Sequence, residues 1–171
     1  KKNTCLLINS SYEYAKKNSN SSKIKVQKHL LNETRNLINS NLKVILCVGE
    51  SLSDREEGKA LEYIEKQIND CLPNNFKNSF IAYEPIWSIG TGKIPSAFEI
   101  QEMHSHIKKI VFRISNKNIN VLYGGSVNTE NINEILKITN VDGVLVGGAS
   151  LKAKDFLAIY SAAVKHLDTS S

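Results

Sequence analysis

Glu84 stands at the end of the apolar run Phe80-Ile81-Ala82-Tyr83 and is followed at once by Pro85-Ile86-Trp87-Ser88-Ile89-Gly90-Thr91-Gly92-Lys93. A carboxylate at the end of a buried strand, roofed by a loop bearing Ile86, Trp87 and Ile89, loses hydration when the loop closes. That loss raises its pKa toward the range of a useful general base. The alternative for such a residue is an ion pair with a neighbouring lysine. Pro85 stiffens the entry to the loop, Trp87 supplies a bulky pivot, and Gly90-Thr91-Gly92 lets the backbone swing in and present an amide to a ligand. Two further clusters, Gly124-Gly125-Ser126 and Gly147-Gly148-Ala149-Ser150, have the composition of a phosphate cradle. Glycines admit an anion close to backbone N–H groups, a serine hydroxyl adds a donor, and a following helix contributes its partial positive charge. One Gly-Gly-Ser alone is better explained as a turn. Two such clusters beside a third glycine-rich loop favour an anion site, and with it the reading of Glu84 as a base.

These residues need a scaffold that brings strand ends together. Short, continuously apolar runs recur at 44–48, 80–83, 119–123 and 144–146, with a possible earlier one at 5–8. Such runs read as strands covered on both faces, as in parallel sheets. Between them lie amphipathic segments: Val26, Leu30, Leu37 and Ile38; Leu61, Ile64, Ile68 and Cys71; Ile100, Met103, Ile107 and Ile110; Ile132, Ile135 and Leu136; Phe156, Ile159, Ala163 and Val164. Each repeats at spacings of three and four, the period of one helix face. Ser96 with Glu99 is a capping box, and Asn128 or Thr129 can cap the helix that follows. The alternation βαβαβαβα, with no hairpin, requires a parallel sheet built by right-handed crossovers. Ligands of such folds bind at the carboxyl ends of the strands, and every polar or glycine-rich cluster here follows a strand directly. The polar stretch 16–22 reads as an exposed loop.

Composition narrows the classes. The 171 residues, 41% hydrophobic and 23% charged, suit a single globular domain over 1–171. The net charge of +5 comes from scattered lysines without interleaved aromatics, which argues against a nucleic-acid surface. No apolar run approaches the roughly 18–20 residues needed to span a bilayer, so no membrane partner is expected. Cys5, Cys47 and Cys71 are odd in number and form no CxxC, which argues against a disulfide framework or zinc site and fits a reducing compartment. His104 and His106, two apart on a helix, point to different faces and make a poor metal pair. No metal or organic cofactor is expected.

AYEPIWSIGTGK, KVILCVGESLSDREEG, VLYGGSVNTENI and VDGVLVGGASLK occur in one order with regular spacing over about residues 26–164. Together they resemble the triose-phosphate isomerase family. The resemblance implies a parallel (β/α)8 TIM barrel, present here as an incomplete portion covering about strands 4 to 8. It implies interconversion of glyceraldehyde 3-phosphate and dihydroxyacetone phosphate in glycolysis and gluconeogenesis by a homodimer. Glu84 matches the base that shuttles a proton through an enediol; Gly90, Ser126, Gly147 and Gly148 match donors to the substrate phosphate. Glu50 and Arg55 match supporting positions, while Cys47 and His104 match buried structural ones.

Two departures accompany this resemblance. A complete barrel takes about 250 residues, and the first three βα units, with their asparagine and lysine, have no counterpart in this sequence. Five strands cannot close, and are expected to leave two unpaired edges and an open core. Second, Cys5-Leu6-Leu7-Ile8-Asn9-Ser10 resembles the fourth strand with Ser10 where the family has its electrophilic histidine. That leaves an alternative function, a non-catalytic or weakened phosphate-binding barrel. Cytoplasm is the expected location, with a plastid-like organelle as the alternative.

Overall fold

The computed structural model describes residues 5–9 and 23–169. Ser10 and the stretch 16–22 lie outside the described residues. Five strands, β1 (Cys5–Asn9), β2 (Lys43–Val48), β3 (Phe80–Tyr83), β4 (Asn120–Tyr123) and β5 (Gly143–Val144), form one parallel sheet in sequential order. The helices are α1 (Lys23–Asn39), α2 (Leu52–Glu56), α3 (Ala60–Cys71), α4 (Ala97–Ser115), α5 (Ile132–Lys137) and α6 (Ala153–Thr169), with a 3₁₀ turn over Gly148–Leu151. This is the expected α/β alternation, and its order makes each connection a crossover to the next strand.

The core lies on the helix side of the sheet. Val44, Leu46, Val48, Ile81, Tyr83, Val121 and Tyr123 are buried there with Ile64, Ile68, Ile100, Met103, Ile107 and Ile132 from the helices. The expectation of strands covered on both faces is corrected by the other side. Its register row runs Leu7–Ile45–Phe80–Asn120, and Leu7 is 54% exposed, while Ile45 and Phe80 are only partly buried. Alternate residues of a strand face opposite ways, so a sheet coated by helices on one side and not closed on itself leaves this row uncovered.

Local signals account for most element ends. Ser96 and Glu99 form the expected capping box on α4, and Ser51 with Asp54 forms a second one on the short α2, which hydrophobic spacing did not reveal. Asn128 does not cap α5. Its Oδ1 accepts from Glu130 N and Asn131 N one turn earlier, and Asn131 begins the helix. Strand β5 is shorter than the expected 144–146, because it pairs only with β4 and the ladder ends where Leu145 N donates to Tyr123 O. On α6 only Ile159 of the expected stripe is fully buried; Phe156 and Val164 are exposed, as are Leu157, Tyr160 and Leu167. Each of the four helix-to-strand connections after α1, α3, α4 and α5 contains one asparagine with left-handed backbone: Asn41, Asn78, Asn116 and Asn140.

Candidate active site

Register sets the site. The row Cys47–Ala82–Leu122 lies across β2, β3 and β4, and two residues further on come Gly49, Glu84 and Gly124. Glu84 N donates to Val48 O at 2.7 Å, so the pairing continues to Glu84 itself. A Cβ on Gly49 would stand 1.7 Å from the Glu84 carbonyl oxygen, and one on Gly124 would stand 2.6 Å from Glu84 Cγ. Glu84 therefore occupies a slot whose two walls admit no methyl group. A Cβ on Gly125 would meet Tyr123 OH at 2.2 Å and Ser88 Oγ at 2.8 Å. The sequence reading took Gly124 and Gly125 for part of an anion cradle; the geometry gives them a close-packing role.

Burial raises the Glu84 pKa above the ordinary carboxyl value, and a hydrogen bond from the Cys47 thiol opposes that rise in part. No lysine or arginine pairs with Glu84 among the described residues, so the ion-pair alternative is not what the structure contains. Cys47 is buried, as expected of a core cysteine, but it also touches Glu84, and desolvation together with the Glu84 charge drives its own pKa upward. A thiol so held stays protonated and acts as a donor.

The loop that follows Glu84 is pinned on both sides. On the β2 side, Trp87 Nε1 donates to Glu50 Oε1 at 3.0 Å. The same oxygen accepts from Tyr83 OH at 3.1 Å and from Arg55 Nε and Nη2 at 3.1 and 2.9 Å. Glu50 is fully buried, and pairing with Arg55 offsets the cost of holding its charge there. On the β4 side, Ser126 Oγ donates to Ser88 O at 2.5 Å and Ser126 N to Ser88 Oγ at 3.2 Å. Ser88 Oγ in turn donates to Lys93 O at 2.5 Å. Beyond the pins the tip is exposed, with Ile89 and Ile94 in solvent and Gly90 and Gly92 at φ +68° and +76°.

Gly90, Ser126, Gly147 and Gly148 thus all follow strand ends on the side of Glu84, but in different states. Ser126 is engaged with the loop. Gly147 and Gly148 are exposed with open space about them, at the start of the 3₁₀ turn whose Ser150 N and Oγ both donate to Gly147 O. His104 and His106 do face different ways. His104 is buried with Nδ1 3.1 Å from Asn140 O, whereas His106 Nε2 lies 3.2 Å from Leu61 O. No group of three or more metal-ligating side chains occurs among the described residues. Sequence reasoning missed Ser88, and missed Gln67, whose carboxamide binds the Gly49 backbone; both look like ordinary polar surface residues in the chain.

A family model described as triosephosphate isomerase matches residues 21–163. The chain belongs to the triosephosphate isomerase family. A triosephosphate isomerase of Rhizobium meliloti is 42% identical over 128 residues, covering 72% of this chain and 50% of that protein. One from Caulobacter vibrioides is 48% identical over 128 residues, covering 72% and 51%. The crystal structure of triosephosphate isomerase from Bartonella henselae superposes with a TM-score of 0.77 at 30% identity, over 91% of this chain and 63% of the other. The chain spans about half the length of the curated relatives it matches. Its five-stranded sheet is accordingly part of a triosephosphate isomerase barrel, whose closed form has eight strands.

Proposed function

We propose that this chain is the part of a triosephosphate isomerase that carries the base, the lid and the phosphate loops. Glu84 removes a proton from one carbon of dihydroxyacetone phosphate or glyceraldehyde 3-phosphate and returns it to the neighbouring carbon through an enediol. The observation that carries this reading is the glycine-walled slot, which holds a desolvated carboxylate directly ahead of a doubly pinned loop. Gly90, Ser126, Gly147 and Gly148 donate to the substrate phosphate, Ser126 after exchanging its bond to Ser88 for one to the ligand. The uncovered row on the inner face of the sheet supports completion of the barrel by three further βα units. Those units would supply the asparagine and lysine of the family; glycolysis and gluconeogenesis in the cytoplasm, by a homodimer, complete the proposal.

The test is steady-state isomerisation by the natural full polypeptide beside Glu84→Gln and Ser10→His. Loss of a general base lowers turnover by about 10²- to 10⁴-fold. Wild-type turnover that collapses in Glu84→Gln supports the reading. Background activity that rises in Ser10→His replaces it with a relative lacking its electrophile.

A further inference from the structure

Gln67 lies in the middle of α3, yet only 4% of it is exposed. Its carboxamide meets one residue twice: Gly49 N donates to Gln67 Oε1 at 3.0 Å, and Gln67 Nε2 donates to Gly49 O at 3.1 Å. The direction of these bonds explains the pair. Val48 O accepts from Glu84 N and Glu50 O accepts from Ile86 N, so residues 48 and 50 turn their carbonyls toward β3. Alternate residues of a parallel strand point opposite ways, so Gly49 turns both its polar groups away from β3. There a neighbouring strand would present one acceptor and one donor, and the Gln67 carboxamide presents the same two groups.

What Gly49 touches makes this more than satisfied backbone. Its Cα lies against the Glu84–Pro85 peptide so closely that a Cβ would fall 1.7 Å from Glu84 O and 3.5 Å from Pro85 N. Any shift of Gly49 therefore moves the main chain that carries the base. We propose that Gln67 is a positioning residue for Glu84: its two hydrogen bonds fix Gly49, and Gly49 sets where the carboxylate stands in the slot facing Gly124. Gln67 touches neither substrate nor reacting atoms. The proposal rests on Glu84 being the base, and it names a control of that base from outside the site.

The experiment compares the natural full polypeptide with Gln67→Met, which keeps the reach of the side chain and loses both bonds. With rates normalised to folded protein, kcat falls by about 10- to 100-fold, as expected of a base displaced by a fraction of an ångström to 1 Å. KM and inhibition by inorganic phosphate change by less than about threefold, because Ser126, Gly147 and Gly148 follow other strands and Gly90 lies beyond the bonds that pin Trp87 and Ser88, and one methylene of misfit in a pocket costs more than that. The acid limb of kcat/KM also moves, since the carboxylate leaves its place against the Cys47 thiol. Unchanged kcat, or equal loss in kcat and phosphate affinity, overturns the proposal. If the wild-type polypeptide does not isomerise triose phosphates, the functional reading fails separately. The brace is then decided by ¹³C NMR titration of Glu84: a midpoint that differs between wild type and Gln67→Met supports it, and a common midpoint overturns it. Should the methionine variant not fold, Gln67→Glu serves instead. Its neutral acid offers the same acceptor and donor, so its Glu84 environment and rate approach wild type at low pH and depart as the acid ionises. A constant ratio to wild type across pH overturns the proposal.

Discussion

At the scale of single residues, burial sets protonation states. Glu84 is pushed toward protonation by desolvation and held back by one thiol. His104 shows the same force acting on a cationic acid. Since a carbonyl can only accept, its Nδ1 donates to Asn140 O, and Nε2 is left buried without a hydrogen-bond partner. Desolvation lowers its pKa to about 4. The unfolded chain, with the ordinary value of about 6.5, therefore binds the proton more readily. Stability is full above that value and declines as pH falls from about 6.5 to about 4, by about 3 kcal/mol in all. Denaturant titrations across this range should show that decline in wild type and a flatter one in His104→Gln; equal slopes would mean that His104 charges freely in the fold.

At the scale of elements, the loop's two pins differ in kind. Trp87 to Glu50 only holds the loop, whereas Ser126 to Ser88 holds it with a group assigned to the ligand. Trp87→Phe is expected to shift inhibition by inorganic phosphate by less than about tenfold, the scale of one hydrogen bond. Ser126→Ala is expected to weaken it by more. Equal effects would reduce Ser126 to a pin. Much of this was legible beforehand, because Glu84, its loop and the strand ends depend on contiguous residues. Ser96 with Glu99 announced α4 for the same reason. Gln67 was not legible: it sits where a helix shows its polar face, and only a reach to Gly49, eighteen residues earlier, buries it. The short β5 and the exposed face of α6 were missed likewise, since both depend on what lies beside them in space rather than on their own spacing.

At the scale of the molecule, the sheet is fully covered on one side and only partly on the other, where Cys47 and Ala82 are buried but Leu7 is not. Its helix-side core is continuous, while Leu7, Ile45 and Phe80 form an incompletely covered row on the other face. The residues proposed for chemistry all lie at the carboxyl ends of the strands. The opposite rim holds the four left-handed asparagines, Asn41, Asn78, Asn116 and Asn140. A side chain without asparagine's local hydrogen bonding tolerates that backbone poorly, so each change to alanine should cost about 1 kcal/mol in thermal unfolding. Turnover at low temperature should stay as it was. The same chain thus offers natural selection two dials on opposite rims: heat tolerance can drift at the asparagines while the rate of reaction stays under separate control.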